Sequence, residues 1–382
     1  MGGVLFVSHV GELGGAEHGL LHIARHFGSR CHVVLFDDGP VRQRLQQAGI
    51  GVTVLAAYPL LLGVRKQGRA GRALASAPEV LRLAWRLARI ARGYEVLYPN
   101  SQKAAVIAMV AARIVGRRVV WHLRDILLPD HFAALQRTLV VRLANATAHR
   151  VIANSEATKA SFIACGGNPA LVRVVLNGVD ESEFEGIERF DAAAMRRSLG
   201  LERVKLVGLF GRISPWKGQH VLIQALAELP DVHAIMVGEA LFGETKHREQ
   251  LRAHASRLGV VDRVHWLGFR TDLPQLMRAV DVVVHASTLA EPFGRVIVEG
   301  MMAKRPVLAS DAGATRELLG DEYAGLVPPG DPRQLAAAIN RMLAMSPEQV
   351  ETITERNDDR ARRLFSLRRM LQDIEDVVGL AA

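Results

Sequence analysis

The chain has 382 residues, 49% of them apolar, which is too long for one core of ordinary size and too apolar for disorder, so two domains of roughly 200 residues are expected. Its two cysteines, Cys31 and Cys165, exclude a disulfide framework and a cysteine metal site, and fit a reducing cytosol. The net charge of +9 is uneven: residues 1–180 carry 22 Lys and Arg against 10 Asp and Glu, the remainder 26 against 29, so the basic field that attracts nucleic acid or an anionic membrane belongs to the first half.

The opening MGGVLFVSHV lacks a basic n-region and reads as a first strand over Val4–Val7, not a signal peptide. HVGELGGAEHG follows, then an apolar-periodic helix through Leu20, Leu21, Ile23 and Ala24. Gly14 and Gly15 open that helix, where backbone can approach a ligand and the helix end offers positive potential. Their spacing is not a dinucleotide-binding GxGxxG, and no Walker GxxxxGK occurs anywhere. Val33–Phe36 and Val52–Leu55 continue the strand and helix alternation of a parallel sheet. Apolar runs such as Val54–Val64 fall short of the roughly 20 residues of a membrane span.

The segment Leu61–Arg92 holds eight cations (Arg65, Lys66, Arg69, Arg72, Arg82, Arg86, Arg89, Arg92) and one acid, Glu79. A helix after Pro78 gathers Arg82, Arg86, Arg89 and Arg92 on one stripe, with Leu83, Ala84, Leu87, Ile90 and Ala91 opposite and Trp85 at the border. Such a helix is either core-facing with a solvated Arg face or a surface helix touching anionic lipid headgroups. Val96–Tyr98 is the next strand, followed by a helix. VVWHLRD, Val119–Asp125, is a strand that ends in His122, Arg124 and Asp125, at the edge where doubly wound sheets bind ligands. His122 is the candidate contact there, while Arg124 and Asp125 can pair with each other. VIANS with its helix, then VVLNGVD as a strand leading into an Asn177-Gly178 turn, close the first half, and the acidic stretch 181–188 reads as an interdomain connection.

The second half restarts with the strand Leu206–Phe210 and GRISPWKGQ, in which Arg212 and Lys217 stand on a loop opening a helix around Val221–Leu226. Two fixed cations beside a helix N-terminus suit a diphosphate. Ala234–Gly238, Val264–Gly268 and Val280–Ser287 are further strands, and 348–378 reads as one long charged helix. Between them, EPFGRVIVEGMMAKRPVLAS places Glu291 on a turn, begins a helix near Gly294, carries Glu299 one turn inside it and ends in the buried strand Pro306–Ala309.

That string resembles the signature of the retaining glycosyltransferases of family 4, the group 1 glycosyl transferases. The resemblance covers nearly the whole chain and is most specific over 206–327. It implies an α/β protein of the GT-B type, two Rossmann-like doubly wound domains facing across a cleft: an acceptor-binding domain over 1–178, a donor-binding domain over 179–364 and a C-terminal helix over 365–382 that can cross back. It implies that Gly14 and Gly15 face the donor's phosphates, with Glu17 holding their loop, and that His122 matches the family's His-rich motif. Arg212, after Gly211, and Lys217 resemble the diphosphate clamp, Glu299 the ribose carboxylate and Glu291 the carboxylate that orients donor-sugar hydroxyls. Phe293, Gly294 and Arg295 of the turn, Gly238, and Phe269 beside the nucleotide base complete the implied donor site. Gly300, Lys304-Arg305 and Gly313-Ala314 depart from the usual pattern beneath the donor sugar, and put the sugar's identity in doubt.

The expected activity is therefore metal-independent, retaining transfer of a hexosyl or N-acetylhexosaminyl group from a nucleoside diphosphate sugar to an acceptor saccharide or lipid-linked saccharide, in bacterial glycolipid, lipopolysaccharide or exopolysaccharide synthesis. No cofactor and no metal are expected, since no Asp-x-Asp pair and no His/Cys ligand spacing occur. The rivals are an epimerase or hydrolase of the same fold, a transferase acting on a soluble acceptor, and a non-catalytic sugar-nucleotide binder. Nucleic acid is disfavoured because aromatics are only 5% and no recognised module occurs. A cytoplasmic protein, peripheral on the inner leaflet, is expected.

Overall fold

The computed structural model describes residues 2–56, 77–129, 132–240 and 243–380. The chain divides into two compact units, Met1–Gly178 with Arg368–Ala382, and Val179–Leu367. The first unit is built on seven strands: β1 Val4–Ser8, β2 Cys31–Leu35, β3 Gly51–Val54, β4 Val96–Pro99, β5 Arg118–Leu123, β6 Arg150–Ala153 and β7 Val172–Val174. They pair in parallel in the order β3-β2-β1-β4-β5-β6-β7. Its helices are α1 Gly15–Phe27, α2 Pro40–Gln47, α3 Ala77–Ala91, α4 Gln102–Val115, α5 Ala134–Thr147 and α6 Glu156–Ala164. A parallel sheet covered on both faces buries every residue of its central strands, which is why β1 and β4 read as unbroken apolar runs. α3 packs along α4 and α4 along α5, burying Leu83, Leu87, Trp121 and Phe162 in one core.

On α3 the core side is Leu83, Ala84, Leu87, Ala88 and Ala91, and Arg82, Arg86 and Arg89 face outward as the stripe predicts. Two large apolar side chains share that outer side, Leu81 at 60% exposure and Trp85 at 55%, with the Arg89 guanidinium 5.2 Å over the Trp85 ring. The cations at 65, 66, 69 and 72 lie outside the described residues.

The second unit holds β8 Lys205–Phe210, β9 Val232–Val237, β10 Val264–Gly268, β11 Val282–His285, β12 Val307–Ser310 and β13 Leu326–Val327, parallel in the order β10-β9-β8-β11-β12-β13. Its helices are α7 Ala192–Ser198, α8 Gln219–Leu226, α9 Thr245–Arg257, α10 Leu273–Ala279, α11 Arg295–Met302, α12 Thr315–Leu319, α13 Pro332–Leu343 and α14 Pro347–Leu364; α15 Leu367–Val378 follows. Each sheet reverses its winding once, between β1 and β4 and between β8 and β11, and the carboxyl ends of strands at such a switch point are where open α/β sheets bind ligands.

Two expectations from the sequence are corrected. The strand before the Asn177-Gly178 turn lies earlier than expected: β7 spans Val172–Val174, and the backbone of Val179 takes its partners from the C-terminal segment, its N–H donating to Phe365 O at 2.9 Å and its carbonyl accepting from Leu367 N at 2.9 Å. The same contact breaks the long helix 348–378 into α14 and α15 at Phe365-Ser366. Phe365 is buried edge-on against Phe293, with ring centroids 5.8 Å apart, and that burial outweighs helical continuity.

The Lys304-Arg305 departure closes α11. Arg305 N–H donates to Gly300 O at 3.2 Å, Lys304 adopts φ +51, and the Arg305 guanidinium caps the Arg278 carbonyl at 2.8 Å. The Arg305 side chain thus ties the exit of α11 to the end of α10, while the Lys304 ammonium stands 4.0 Å from Asp358 on α14.

Candidate active site

Three successive loops at the carboxyl ends of β8, β11 and β12 build a charged site in the second unit. Gly218 has φ +76, and a Cβ there would lie 1.7 Å from Ala286 O, so the loop after β8 meets the exit of β11 at a distance only glycine allows. Thr288 stitches the same loops by donating its N–H to Trp216 O at 2.8 Å. The loop after β12 holds the Glu291 backbone, through Ala314 N–H to Glu291 O at 3.0 Å and a bridge to Gly313.

Within this frame Glu291 is 5% exposed. Its Oε1 accepts from the Lys217 ammonium, from Ser287 Oγ at 2.9 Å and from His285 Nε2 at 3.3 Å. Burial pushes its pKa up, but the Lys217 charge and the His285 and Lys217 hydrogen bonds outweigh this and hold it far below the usual carboxylate range. Glu291 is therefore an anion at every physiological pH, an acceptor of hydrogen bonds and not a proton store. The Lys217 ammonium also sits 4.3 Å over the Trp216 ring, fixed between face and carboxylate. Arg212 follows Gly211 at the end of β8, and its carbonyl accepts from Gln219 at 3.0 Å.

Glu299 lies one turn along α11 and accepts from Arg295 Nε at 2.5 Å. The Glu299 charge raises the Arg295 pKa, and Glu183 approaches the pair, its own pKa raised by burial against the pull of Arg295. Gly294 caps α11 without a side-chain bond, leaving that end to its backbone N–H groups. Phe293 is only 3% exposed with its ring on Phe365, so any ligand contact at this position is through main chain. Gly238 N–H donates to Gly268 O at 2.8 Å, and Phe269 beyond it stands 72% exposed.

The remaining expected residues belong to the first unit. Gly14 caps α1 with no side-chain bond, Gly15 is its first residue, and the Glu17 carboxylate takes the backbone N–H groups of Gly14 and of Glu17 itself, so Glu17 holds this loop. Burial raises the Glu17 pKa, with Arg124 opposing. Burial lowers the pKa of Arg124 against the opposing charges of Tyr98, Glu17 and Asp125. Its Nε donates to Asn100 at 2.7 Å, and its guanidinium packs over Gly19, where a Cβ would come within 3.0 Å of it. His122 is wholly buried on β5, its Nδ1 2.6 Å from the Tyr98 hydroxyl, while its Nε2 lacks a hydrogen-bond partner among the described residues. Burial and the Arg124 charge lower its pKa well below that of a free imidazole, so it is neutral.

His285 and Ser287 were missed from sequence although the signal was present: a polar residue closing an apolar strand, the same pattern that marks His122.

Comparison with known proteins shows the family and the fold. Residues 191–359 match the glycosyl transferases group 1 family and residues 13–183 match glycosyltransferase family 4. The structure of HepE from Anabaena in complex with UDP and glucose superposes with a TM-score of 0.87 at 39% identity, covering 99% of both chains. The lipopolysaccharide core biosynthesis mannosyltransferase LpsB of Rhizobium meliloti is 34% identical over 161 residues, 40% of this chain and 45% of that protein. The D-inositol 3-phosphate glycosyltransferase of Salinispora tropica is 32% identical over 252 residues, 62% of this chain and 52% of that protein. The chain thus spans about half the length of these curated relatives. It belongs to the group 1, family-4 glycosyltransferases, with two parallel-sheet Rossmann-like units.

Proposed function

We propose that the protein transfers a sugar, with retention, from a nucleoside diphosphate donor to an acceptor hydroxyl. The observation that carries this is the permanently ionised Glu291 locked to Lys217 at the switch point of the second sheet. In the reaction the C1–O bond to the diphosphate breaks, the acceptor oxygen bonds C1 on the same face, and the acceptor's proton passes to the leaving phosphate oxygen. Charge growing on the diphosphate is met by Arg212, Lys217 and the N-terminus of α11, so no metal is required. The HepE complexes with UDP, glucose and UDP-glucose support a uridine diphosphate hexose as donor. Melting the protein with UDP, GDP and their sugars tests this: one nucleotide class should raise the midpoint, since a ligand bound only by the folded state stabilises it. Transfer should persist in chelator. Free sugar or epimer released without acceptor would favour the hydrolase or epimerase reading.

The acceptor is proposed to be a glycolipid or lipid-linked saccharide at an anionic leaflet. No helix among the described residues is long and apolar enough to cross a membrane. The outer side of α3 instead pairs Arg82, Arg86 and Arg89 with exposed Leu81 and Trp85, more apolar surface than a merely solvated Arg face needs. Each cation near an anionic surface contributes about 1 kcal/mol, weakened by salt. Co-sedimentation with anionic but not neutral vesicles is expected, and Arg82, Arg86 and Arg89 changed together to Gln should reduce it about tenfold or more. Equal binding by the triple variant would leave the stripe an ordinary solvated face and favour a soluble acceptor.

A further inference from the structure

Glu291 is held asymmetrically. Lys217, Ser287 and His285 all reach Oε1, and Oε2 accepts no hydrogen bond among the described residues, which leaves it as the oxygen open to a ligand hydroxyl. Lys217 is an unsteady anchor for that arrangement, because an ammonium that meets a diphosphate is drawn from its carboxylate. A buried carboxylate stripped of its partner is destabilised, so something else has to keep Glu291 in place once the donor is bound.

His285 is built for this. It is the last residue of β11, paired with Ala309 of β12, buried, and fixed by the sheet instead of a loop. Its Nε2 lies 3.3 Å from Glu291 Oε1 and 3.2 Å from Ser287 Oγ. The Ser287 proton is directed to Glu291, so both neighbours of Nε2 are acceptors and the ring must carry its proton there. The consequence is a buried Nδ1 with no partner among the described residues. An unpaired buried acceptor is unfavourable, and an apolar side chain at the end of this strand would avoid the penalty. What the imidazole supplies against that penalty is its Nε2–H at Glu291.

We propose that His285 is a positioning residue that acts through Glu291: its Nε2–H, with Ser287, holds Oε1 so that Oε2 stays aimed at the donor-sugar hydroxyls while Lys217 engages the diphosphate. This rests on the donor-site reading above. It separates two groups that touch one carboxylate, for Lys217 serves both sugar and diphosphate, whereas His285 serves the sugar alone.

The test is calorimetric titration with UDP and UDP-glucose of the parent, His285→Phe, His285→Asn and His285→Gln, with melting curves as the folding control. His285→Phe keeps the ring and removes the donor. It should bind UDP within about twofold of the parent, bind UDP-glucose about tenfold more weakly and lose a similar factor in kcat/KM. Gln, whose amide N–H can reach Oε1, should recover most of the loss, and the shorter Asn should not. If the Phe variant does not fold, the Gln and Asn pair reads the same difference. A ratio of UDP-glucose to UDP affinity that stays at the parent value in the Phe and Asn variants overturns the proposal while leaving the donor site standing. A parent that binds neither ligand overturns both.

Discussion

Lys217→Ala is expected to lower kcat/KM for transfer by roughly 100- to 1,000-fold, about 3 to 4 kcal/mol of transition-state stabilisation, as for other single fixed charges in dry sites. The loss has two parts. The leaving diphosphate loses a cation, and Glu291, 5% exposed, loses the nearest charge that keeps it ionised. Affinity for nucleoside diphosphate should therefore fall as well. Breaking a buried pair at one side also destabilises the fold, by about 3 kcal/mol. The pH dependence distinguishes this from simple loss of packing. In the parent the Glu291 pKa is depressed, so its contribution to stability is complete at neutral pH and is lost only as pH falls through the acid range. In the variant burial is opposed only by His285 and Ser287, the pKa rises, and stability should fall as pH increases through it. Lys217→Arg should not restore activity, because a planar fork cannot occupy the place of a point charge between the Trp216 ring and Oε1. Unchanged kinetics in Lys217→Ala would remove the clamp from the mechanism.

Gly218→Ala is expected to be the most damaging single methyl in the second unit. The added Cβ would stand 1.7 Å from a backbone oxygen, Ala286 O, and φ +76 adds strain of about 1 to 2 kcal/mol. Relief requires separating the loop after β8 from β11, which moves Lys217 and unpins Glu291 together. Gly330 is the control: its φ of +74 is nearly the same, yet nothing lies within 4 Å of its would-be Cβ. Gly330→Ala should therefore show the backbone strain alone, and Gly218→Ala roughly 3 kcal/mol or more beyond it in denaturant titration. Equal midpoints for the two would mean that the close approach at Ala286 is readily relaxed.

The residues themselves determined much of this. Apolar runs of four to six residues separated by amphipathic helices can only form parallel sheets covered on both faces, so the two doubly wound units and nearly all their strands were legible before any coordinates. The candidate site was legible to the extent that Lys217 and Glu291, both placed at the ends of buried strands, do meet there. The break at Phe365-Ser366 was not legible, since local helix propensity runs through it and only the distant contacts with Val179 and Phe293 interrupt it. Nor was the division of labour at Glu291. Sequence placed Lys217 and Glu291 in one site, but three donors on a single oxygen, a buried Phe293 and an orphaned His285 nitrogen arise from side chains 2 to 74 positions apart meeting at three loop ends. Periodicity encodes which face of an element is buried. It does not encode which atoms meet once the faces close, and that only the tertiary structure decided.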